Sequence, residues 1–214
     1  MTQAVQVDIV SDVVCPWCYV GFRQLEQALG QSGLGAIVRW HPFELNPDMP
    51  PEGQNLREHL MGKYGISPEQ SRAARERLTA VGRGLGIDFR YSDDMRMVNT
   101  FKAHQLLDWA EAARLQHPLK LALFQAYFTD GRDVSDPEVL TEIATSAGLD
   151  GDAAREVLET GSHAAETRQR LNFWTQNGIT GVPTMVFAGK YLMTGAQGPE
   201  TYAEVLRRCA AEAA

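Results

Sequence analysis

The alternation of hydrophobic and polar residues near the N-terminus predicts a strand, a helix and a second strand. Residues 5–10 (Val-Gln-Val-Asp-Ile-Val) are rich in β-branched side chains, which favour a strand. A helical pattern runs from Pro16 to the glycines at positions 30 and 33, and residues 36–40 predict the next strand. Two strands joined through a helix in this way form a βαβ unit, in which the strands are parallel.

The middle of the chain has the pattern of helices. A proline-rich stretch at residues 46–52 ends the strand pattern, and nearly every segment from there to about residue 160 has apolar residues at helical spacing. Ser67-Pro68 and Asp136-Pro137 are typical helix starts, since an N-cap residue is followed by a proline in the first turn. This region therefore predicts a block of helices.

The strand pattern returns towards the C-terminus. After a helix at about residues 162–177, residues 181–187 predict a strand with Pro183 near its start. A turn and a partner strand at residues 191–194 follow, and a last helix begins at Pro199. This end of the chain therefore predicts a helix, two antiparallel strands and a helix.

Together these elements predict an α/β protein with one discontinuous domain. Residues 1–45 and 162–214 contain the predicted strands, and residues 46–161 form an all-helical insertion domain. A chain of 214 residues can bury about 70% of its unfolded surface, so its core needs no disulfides. Because no apolar stretch approaches the ~20 residues that span a bilayer, we expect no membrane partner.

The net charge of the chain excludes a further class of partner. The sequence has 20 Lys and Arg against 27 Asp and Glu, a net charge of −7. Binding to a nucleic-acid backbone requires clustered positive charge, so we expect no nucleic-acid partner. The first residues do not show a basic segment followed by an apolar one, which predicts a protein without a secretory signal and a cytoplasmic location.

Two of the three cysteines form a motif with a known chemical use. Cys15-Pro16-Trp17-Cys18 lies where the first helix begins. Free amide groups and the helix dipole stabilise an anion there, so we expect the pKa of Cys15 to lie below the ~8.5 of a free thiol. Cys18 follows one turn later, within reach of a mixed disulfide on Cys15. The motif therefore favours redox chemistry over a structural role.

Other interpretations of these residues stay open on the residues alone. Half of a zinc site is disfavoured because the chain has no second Cys-X-X-Cys and its five histidines are scattered. An iron–sulfur site needs four suitable ligands, and three cysteines do not supply them. An inert buried pair would not explain Pro16. Pro183 by itself indicates only a strand start, because proline cannot donate to the ladder.

Several motifs in combination carry a family resemblance. Cys15-Pro16-Trp17-Cys18 after a strand, the helical insertion, and Gly181-Val182-Pro183-Thr184 together resemble the thioredoxin-fold disulfide oxidoreductases. More specifically, the chain is similar to the FrnE-type, cytoplasmic branch of the DsbA family. Further segments share this likeness: Ser11-Asp12-Val13-Val14, Phe43-Glu44-Leu45-Asn46-Pro47, Asn99-Thr100, Ala103-His104 and Gly195-Ala196-Gln197.

The resemblance implies a fold, an activity and a site. The fold is a thioredoxin fold with a large helical insertion, and the activity is thiol–disulfide exchange or isomerisation on protein or small thiol substrates. Cys15 is the implied nucleophile and Cys18 the resolving thiol. Val182 and Pro183 form the implied cis-proline loop facing them, whose backbone pairs with a bound substrate strand. At the start of the helix, Pro16 and Trp17 are expected to be further substrate contacts.

The resemblance also bears on partners. We expect no bound cofactor and no metal, glutathione or another dithiol system as a candidate redox partner, and either a monomer or a homodimer. DsbA has a histidine inside its Cys-X-X-Cys, whereas this chain has Pro16 and Trp17. We therefore expect a couple less oxidising than the about −120 mV of DsbA.

Four residues remain without a fixed role. Asp8 and Asp12 are both candidates for a buried carboxylate behind the active pair, and neither is assigned. His104 is either a contact to the substrate or glutathione, or a structural histidine. Cys209 has no second cysteine near it in sequence.

Two alternative functions belong to different classes. The kappa-class glutathione transferases and the 2-hydroxychromene-2-carboxylate isomerases share the architecture, but they tend to carry a serine at the first active position and lack the second cysteine. Glutathione binding without thiol exchange would favour such a glutathione-dependent enzyme. A chaperone-like module that binds peptides is the other alternative, and activity that survives loss of Cys15 and Cys18 would favour it.

Overall fold

Residues 4–213 are described from a computed structural model. The strands are β1 (Val5–Ser11), β2 (Ala36–Pro42), β3 (Gln54–Asn55), β4 (Arg96–Met97), β5 (Thr184–Phe187) and β6 (Tyr191–Thr194). The helices are α1 (Pro16–Ser32), α2 (Leu56–Tyr64), α3 (Pro68–Gly84), α4 (Phe101–Ala112), α5 (Gln116–Phe128), α6 (Pro137–Ser146), α7 (Gly151–Thr160), α8 (Ala164–Gln176) and α9 (Pro199–Glu212).

The chain divides into two compact units. One contains the chain up to Leu45 together with the chain from Arg168 onward, and the other is Asn46–Thr167. The sequence pattern places the second boundary at residue 162, before α8, whereas the division falls inside that helix. The first turn of α8 belongs to the helical unit, where the Thr167 hydroxyl donates to the buried carboxylate of Asp108 at 2.5 Å.

A four-stranded mixed sheet forms the first unit. Its order is β2-β1-β5-β6, in which β1 and β2 are parallel and the other neighbours are antiparallel. The predicted parallel βαβ unit is therefore present. The central strand β1 buries Val7 and Ile9 completely, and α1 and α9 pack against each other over the sheet. This arrangement places the first turn of α1 directly after the central strand.

Strand β5 begins later than the sequence pattern predicts. The pattern begins the strand at residue 181, but the ladder starts at Thr184. Pro183 has no N–H to donate to a neighbouring strand. The Thr184 hydroxyl donates to the Gly181 carbonyl at 2.8 Å, so residues 181–183 form a closed loop at the mouth of the strand.

The second unit is built from helices and one short ladder. The predicted start of α3 is confirmed in detail, since Ser67 and Gln70 form a reciprocal capping box. Asp136 likewise caps α6, accepting from the N–H groups of Glu138 and Val139. β3 and β4 pair as an antiparallel ladder of two residues each, which departs from an all-helical insertion. Two residues are too few to produce a recognisable alternation in the sequence.

Candidate active site

Cys15 occupies the N-cap of α1. Its backbone is extended, with φ −91° and ψ 109°, and Pro16 stands at the first helical position, where no N–H donor is needed. The Cys15 N–H donates to the Asp12 carbonyl at 3.3 Å, and the Cys18 N–H donates to the Cys15 carbonyl at 3.1 Å. Cys18 therefore lies one tight turn after Cys15, and both are free thiols.

The loop before β5 faces this turn. The Val182–Pro183 peptide bond is cis, and the Cys15 thiol donates to the Val182 carbonyl with Sγ and O 3.7 Å apart. A Cβ on Gly21 would stand 3.2 Å from Cγ of Pro183, so the glycine allows α1 to approach the loop closely. The structure thus brings together Cys15 and Val182, which are 167 residues apart in the chain.

The protonation of Cys15 differs from the expectation. The side chain is 4% exposed. Its hydrogen bond with Cys18, its burial and the charges of Cys18 and Asp12 raise the pKa of the Cys15 thiol well above its ordinary value. The Cys18 backbone N–H acts in the opposite direction, as the helix N-terminus predicts, but it is outweighed. The expected lowering of the pKa is therefore wrong, because a buried carboxylate and a second thiol stand beside the helix terminus.

The two unassigned carboxylates have different surroundings. Asp12 is buried beside the pair, and its Oδ2 accepts the Leu45 N–H at 2.8 Å, which ties the turn after β1 to the segment after β2. Asp8 instead lies 2.8 Å from Nε2 of His41. Burial acts to raise the pKa of Asp8, but hydrogen bonds from His41 and Gln6 outweigh it, so the pKa is lowered. Of the two, Asp12 is the carboxylate next to the cysteines.

A small apolar cluster supports the loop. Val10, Phe43 and Ile179 form its buried centre, and three partly buried residues pack against it: Leu45, Trp174 and Val182. Phe43 and Leu45 belong to the segment that carries the family resemblance. Because they share this cluster with Val182, that segment supports the loop opposite Cys15.

The remaining predicted site residues have contrasting exposure. Trp17 is 47% exposed, as a residue that contacts a substrate must be. His104 lies on α4 in the helical unit and is only 1% exposed. This burial favours a structural histidine over a contact to the substrate or glutathione. Cys209 is buried near the end of α9.

Tyr202 of α9 was not anticipated from the sequence. It is fully buried, its hydroxyl donates to the Gly195 carbonyl at 3.0 Å, and burial together with the charge of Cys18 raises its pKa. No local pattern identifies such a residue, because its neighbours come from distant segments. The available signals were the resemblance of Gly195-Ala196-Gln197 and a glycine at position 21, three residues after Cys18.

The described residues contain neither a cluster of metal-binding side chains nor a helix that could span a membrane. Across residues 4–213, no cluster of three or more His, Cys, Asp or Glu side chains is arranged to hold a metal ion. Over the same residues, no helix is both long enough and apolar enough to cross a bilayer.

Comparison with known proteins identifies relatives of the whole chain. The crystal structure of a probable DsbA oxidoreductase from Streptomyces coelicolor has 35% sequence identity and a TM-score of 0.89, covering 97% of this chain and 91% of that one. A 2-hydroxychromene-2-carboxylate isomerase shares the fold at 18% identity and a TM-score of 0.68, over 97% and 98% of the two chains. The cytosolic disulfide reductase DsbM from Pseudomonas aeruginosa, solved with glutathione, shares it at 19% identity and a TM-score of 0.60, over 95% and 98%.

The family model confirms the resemblance to DsbA. The model of the DsbA-like thioredoxin domain matches residues 6–207, which include the cysteine pair, the helical insertion and the Val182–Pro183 loop. The thioredoxin fold with a helical insertion is likewise confirmed. The chain therefore belongs to the DsbA-like thioredoxin domain family and is an enzyme of the disulfide oxidoreductase class.

Proposed function

We propose that Cys15 and Cys18 are the redox pair with which this enzyme exchanges disulfides with thiol substrates. The observation that carries the proposal is the position of Cys15 at the N-cap of α1, 3.7 Å from the Val182 carbonyl, with Cys18 one turn further on. In this position the nucleophile and the resolving thiol are adjacent, and Cys15 faces the loop that would hold the substrate.

The proposed cycle balances two electrons. The Cys15 thiolate attacks one sulfur of a substrate disulfide, whose second sulfur leaves as a thiolate and takes up a proton. The Cys18 thiolate then attacks the Cys15 sulfur of the mixed disulfide and releases the second substrate thiol. The substrate is reduced by two electrons and Cys15–Cys18 is oxidised to a disulfide. The same steps in reverse oxidise a dithiol substrate.

We assign substrate contacts to the loop and to the residues between the cysteines. Val182 and Pro183 would present main-chain groups to an extended substrate segment, as in recognition by strand addition. In the reduced protein the Val182 carbonyl accepts from the Cys15 thiol. When Cys15 loses its proton the carbonyl loses this donor, so it can accept an N–H from the substrate. Pro16 and the exposed ring of Trp17 would border the same substrate segment.

The raised pKa of Cys15 supports reduction or isomerisation, and not oxidation, as the direction of the reaction. DsbA is a strong oxidant because its reduced form is stabilised, with a cysteine pKa near 3.5. Here the pKa of Cys15 is raised, so ionisation does not stabilise the dithiol. We therefore propose a midpoint potential more negative than about −120 mV and reduction or isomerisation in a reducing cytoplasm, as in the FrnE-type branch. DsbM, a cytosolic disulfide reductase, was solved with glutathione, which supports glutathione as the first redox partner to test.

Redox equilibration tests the proposal. The purified protein is equilibrated across glutathione buffers, and the fraction of free thiols is read as a mass shift after alkylation. We expect one reversible two-electron transition between about −120 and −270 mV that requires both Cys15 and Cys18. The absence of any transition in this window would contradict the proposal.

The likeness to the 2-hydroxychromene-2-carboxylate isomerase supports a second candidate, a glutathione-dependent transferase or isomerase. Two free thiols at the site favour exchange over this alternative. The same equilibration separates the two functions. Glutathione that binds without forming a mixed disulfide would favour the transferase or isomerase.

A further inference from the structure

The turn between β6 and α9 is hydrogen-bonded to the loop opposite Cys15. Gly195, with φ +83°, donates its N–H to the Pro183 carbonyl at 2.7 Å. The Gly198 N–H donates to Oε1 of Gln24 on α1 at 3.0 Å. The turn, defined as residues 195–198, therefore connects the cis-proline loop with the helix that carries the cysteines.

Tyr202 fixes this turn from the first part of α9. Its hydroxyl donates to the Gly195 carbonyl at 3.0 Å and accepts the Gln197 N–H at 3.2 Å. The hydroxyl oxygen also lies 3.6 Å from where a Cβ on Gly21 would stand, on the turn of α1 that follows Cys18. One buried oxygen thus satisfies two main-chain groups of the turn and lies close to α1 at Gly21.

We infer that Tyr202 is a positioning residue for substrate binding, an inference that rests on the proposed function. Its hydroxyl donates a hydrogen bond to the Gly195 carbonyl, and the Gly195 N–H donates to the Pro183 carbonyl. The neighbouring Val182 carbonyl faces Cys15. Tyr202 acts through this chain of hydrogen bonds and not on the reacting sulfurs. Its role is to keep the main chain of the loop where an extended substrate can pair with it.

The hydroxyl and the ring of Tyr202 contribute separately. The ring packs against Phe187, with centroids 5.9 Å apart, so phenylalanine would preserve this contact. Loss of the hydroxyl leaves the Gly195 carbonyl and the Gln197 N–H without their partner in a part-buried setting. Unpaired main-chain groups are costly, so the turn would shift to find other partners, and the loop would shift with it.

The test compares Tyr202→Phe with Tyr191→Phe. Tyr191 also bonds through its hydroxyl, to Glu212, so the control removes a hydroxyl bond away from the loop. For a disulfide-bonded peptide we expect Tyr202→Phe to raise KM about tenfold, with kcat within about twofold of wild type. Iodoacetamide alkylation of Cys15 needs no pairing with the loop, so it should be no slower than in wild type and should keep the same pH profile. We expect Tyr191→Phe to leave KM, kcat, the alkylation rate and its pH profile unchanged.

A second variant makes the test independent of how Tyr202→Phe folds. Gly195→Ala keeps the tyrosine but strains the same turn at a positive φ, and we expect the same rise in KM. An unchanged KM in both variants overturns the inference, as does a loss of alkylation rate in parallel with the loss of peptide turnover. Failure of the proposed function is distinct from either result, because the wild-type protein would then show no exchange at all.

Discussion

Cys15 and Cys209 are two buried thiols with opposite expected behaviour. Each is 4% exposed, each is free, and burial contributes to raising the pKa of both. Cys15 lies at an extended N-cap beside a second thiol and a loop carbonyl. Cys209 lies inside α9, where the charge of Glu212 adds to the raised pKa and Lys190 and Arg208 oppose it. Burial is therefore not what distinguishes a reactive thiol from an inert one here.

The two thiols differ in which part of the protein must move before a thiol reagent can reach them. The Cys15 thiol lies against the Val182 carbonyl of a loop, so we expect movement of that loop to expose it. Cys209 lies in a helix that packs on α1 and on the central sheet, so we expect its exposure to require displacement of that helix. Local opening of a loop costs less free energy than displacement of a packed helix. The two sites should therefore differ in rate although their exposure is the same.

The largest expected effect comes from removing the two thiols in turn. Cys15→Ser should reduce disulfide exchange by about a thousandfold or more, because the hydroxyl is not an activated nucleophile at this site. Cys209→Ser is the matched control and should leave kcat/KM unchanged. Turnover of a disulfide-bonded peptide measures both. Full activity in Cys15→Ser, or an equal loss in Cys209→Ser, would break the contrast between the two sites.

Cys18→Ser tests the part of the contrast that depends on a second thiol. Cys15 can still attack a disulfide in this variant, but nothing resolves the product. We expect a mixed disulfide with glutathione to accumulate on Cys15, visible as one glutathione added to the protein mass. Steady turnover should fall about a hundredfold. If Cys18→Ser turned over like wild type, the resolving thiol would have to be assigned elsewhere.

A smaller effect is expected from the charge beside the pair. The negative charge of Asp12 contributes to the raised pKa of Cys15, so Asp12→Asn should lower that pKa. More thiolate is then present at pH 8, and alkylation of Cys15 should be about two- to fivefold faster there. The amide oxygen can still accept the Leu45 N–H, which preserves the turn. Rates measured from pH 6 to 10 give the profile.

The pH dependence of the alkylation rate also tests whether the pKa of Cys15 is raised. Because the pKa is raised, the wild-type rate should continue to rise beyond pH 9 and should have no plateau near neutrality. A plateau by pH 7 would show that the helix N-terminus outweighs Asp12 and Cys18. Slower alkylation in Asp12→Asn would show that its charge does not act on Cys15.

The features of the fold that depend on a local pattern of residues could be predicted from the sequence. The β1–α1–β2 unit, the capping box at Ser67 and the position of the cysteines at a helix start all follow from residues that are near each other in the chain. The helical block in the middle of the chain and the C-terminal order of helix, two strands and helix also followed from periodicity. The two-residue ladder of β3 and β4 is too short to leave such a pattern.

What the sequence did not predict depends on contacts between distant segments. The approach of Val182 to Cys15 was implied by the family resemblance and not by spacing. The sign of the Cys15 pKa was wrong because burial, Cys18 and Asp12 together outweigh the helix terminus. Tyr202 was missed because its hydrogen bonds join α9 to a turn that no periodicity describes.

The smallest effect on activity is expected at the other carboxylate of β1, Asp8. Asp8→Asn should leave exchange and the pH profile of Cys15 unchanged, because Asp8 is engaged with His41 and Gln6. It should instead lower the free energy of unfolding at pH 7 by about 1–2 kcal/mol. The pKa of Asp8 is lowered in the folded state, so this contribution is fully present above the unfolded pKa near 4 and is lost progressively as the pH falls from there through the lowered folded pKa. Urea unfolding at pH 7 and at pH 3 should therefore show the difference from wild type shrinking in acid, whereas a constant difference would mean that the ionised carboxylate is not what stabilises β1.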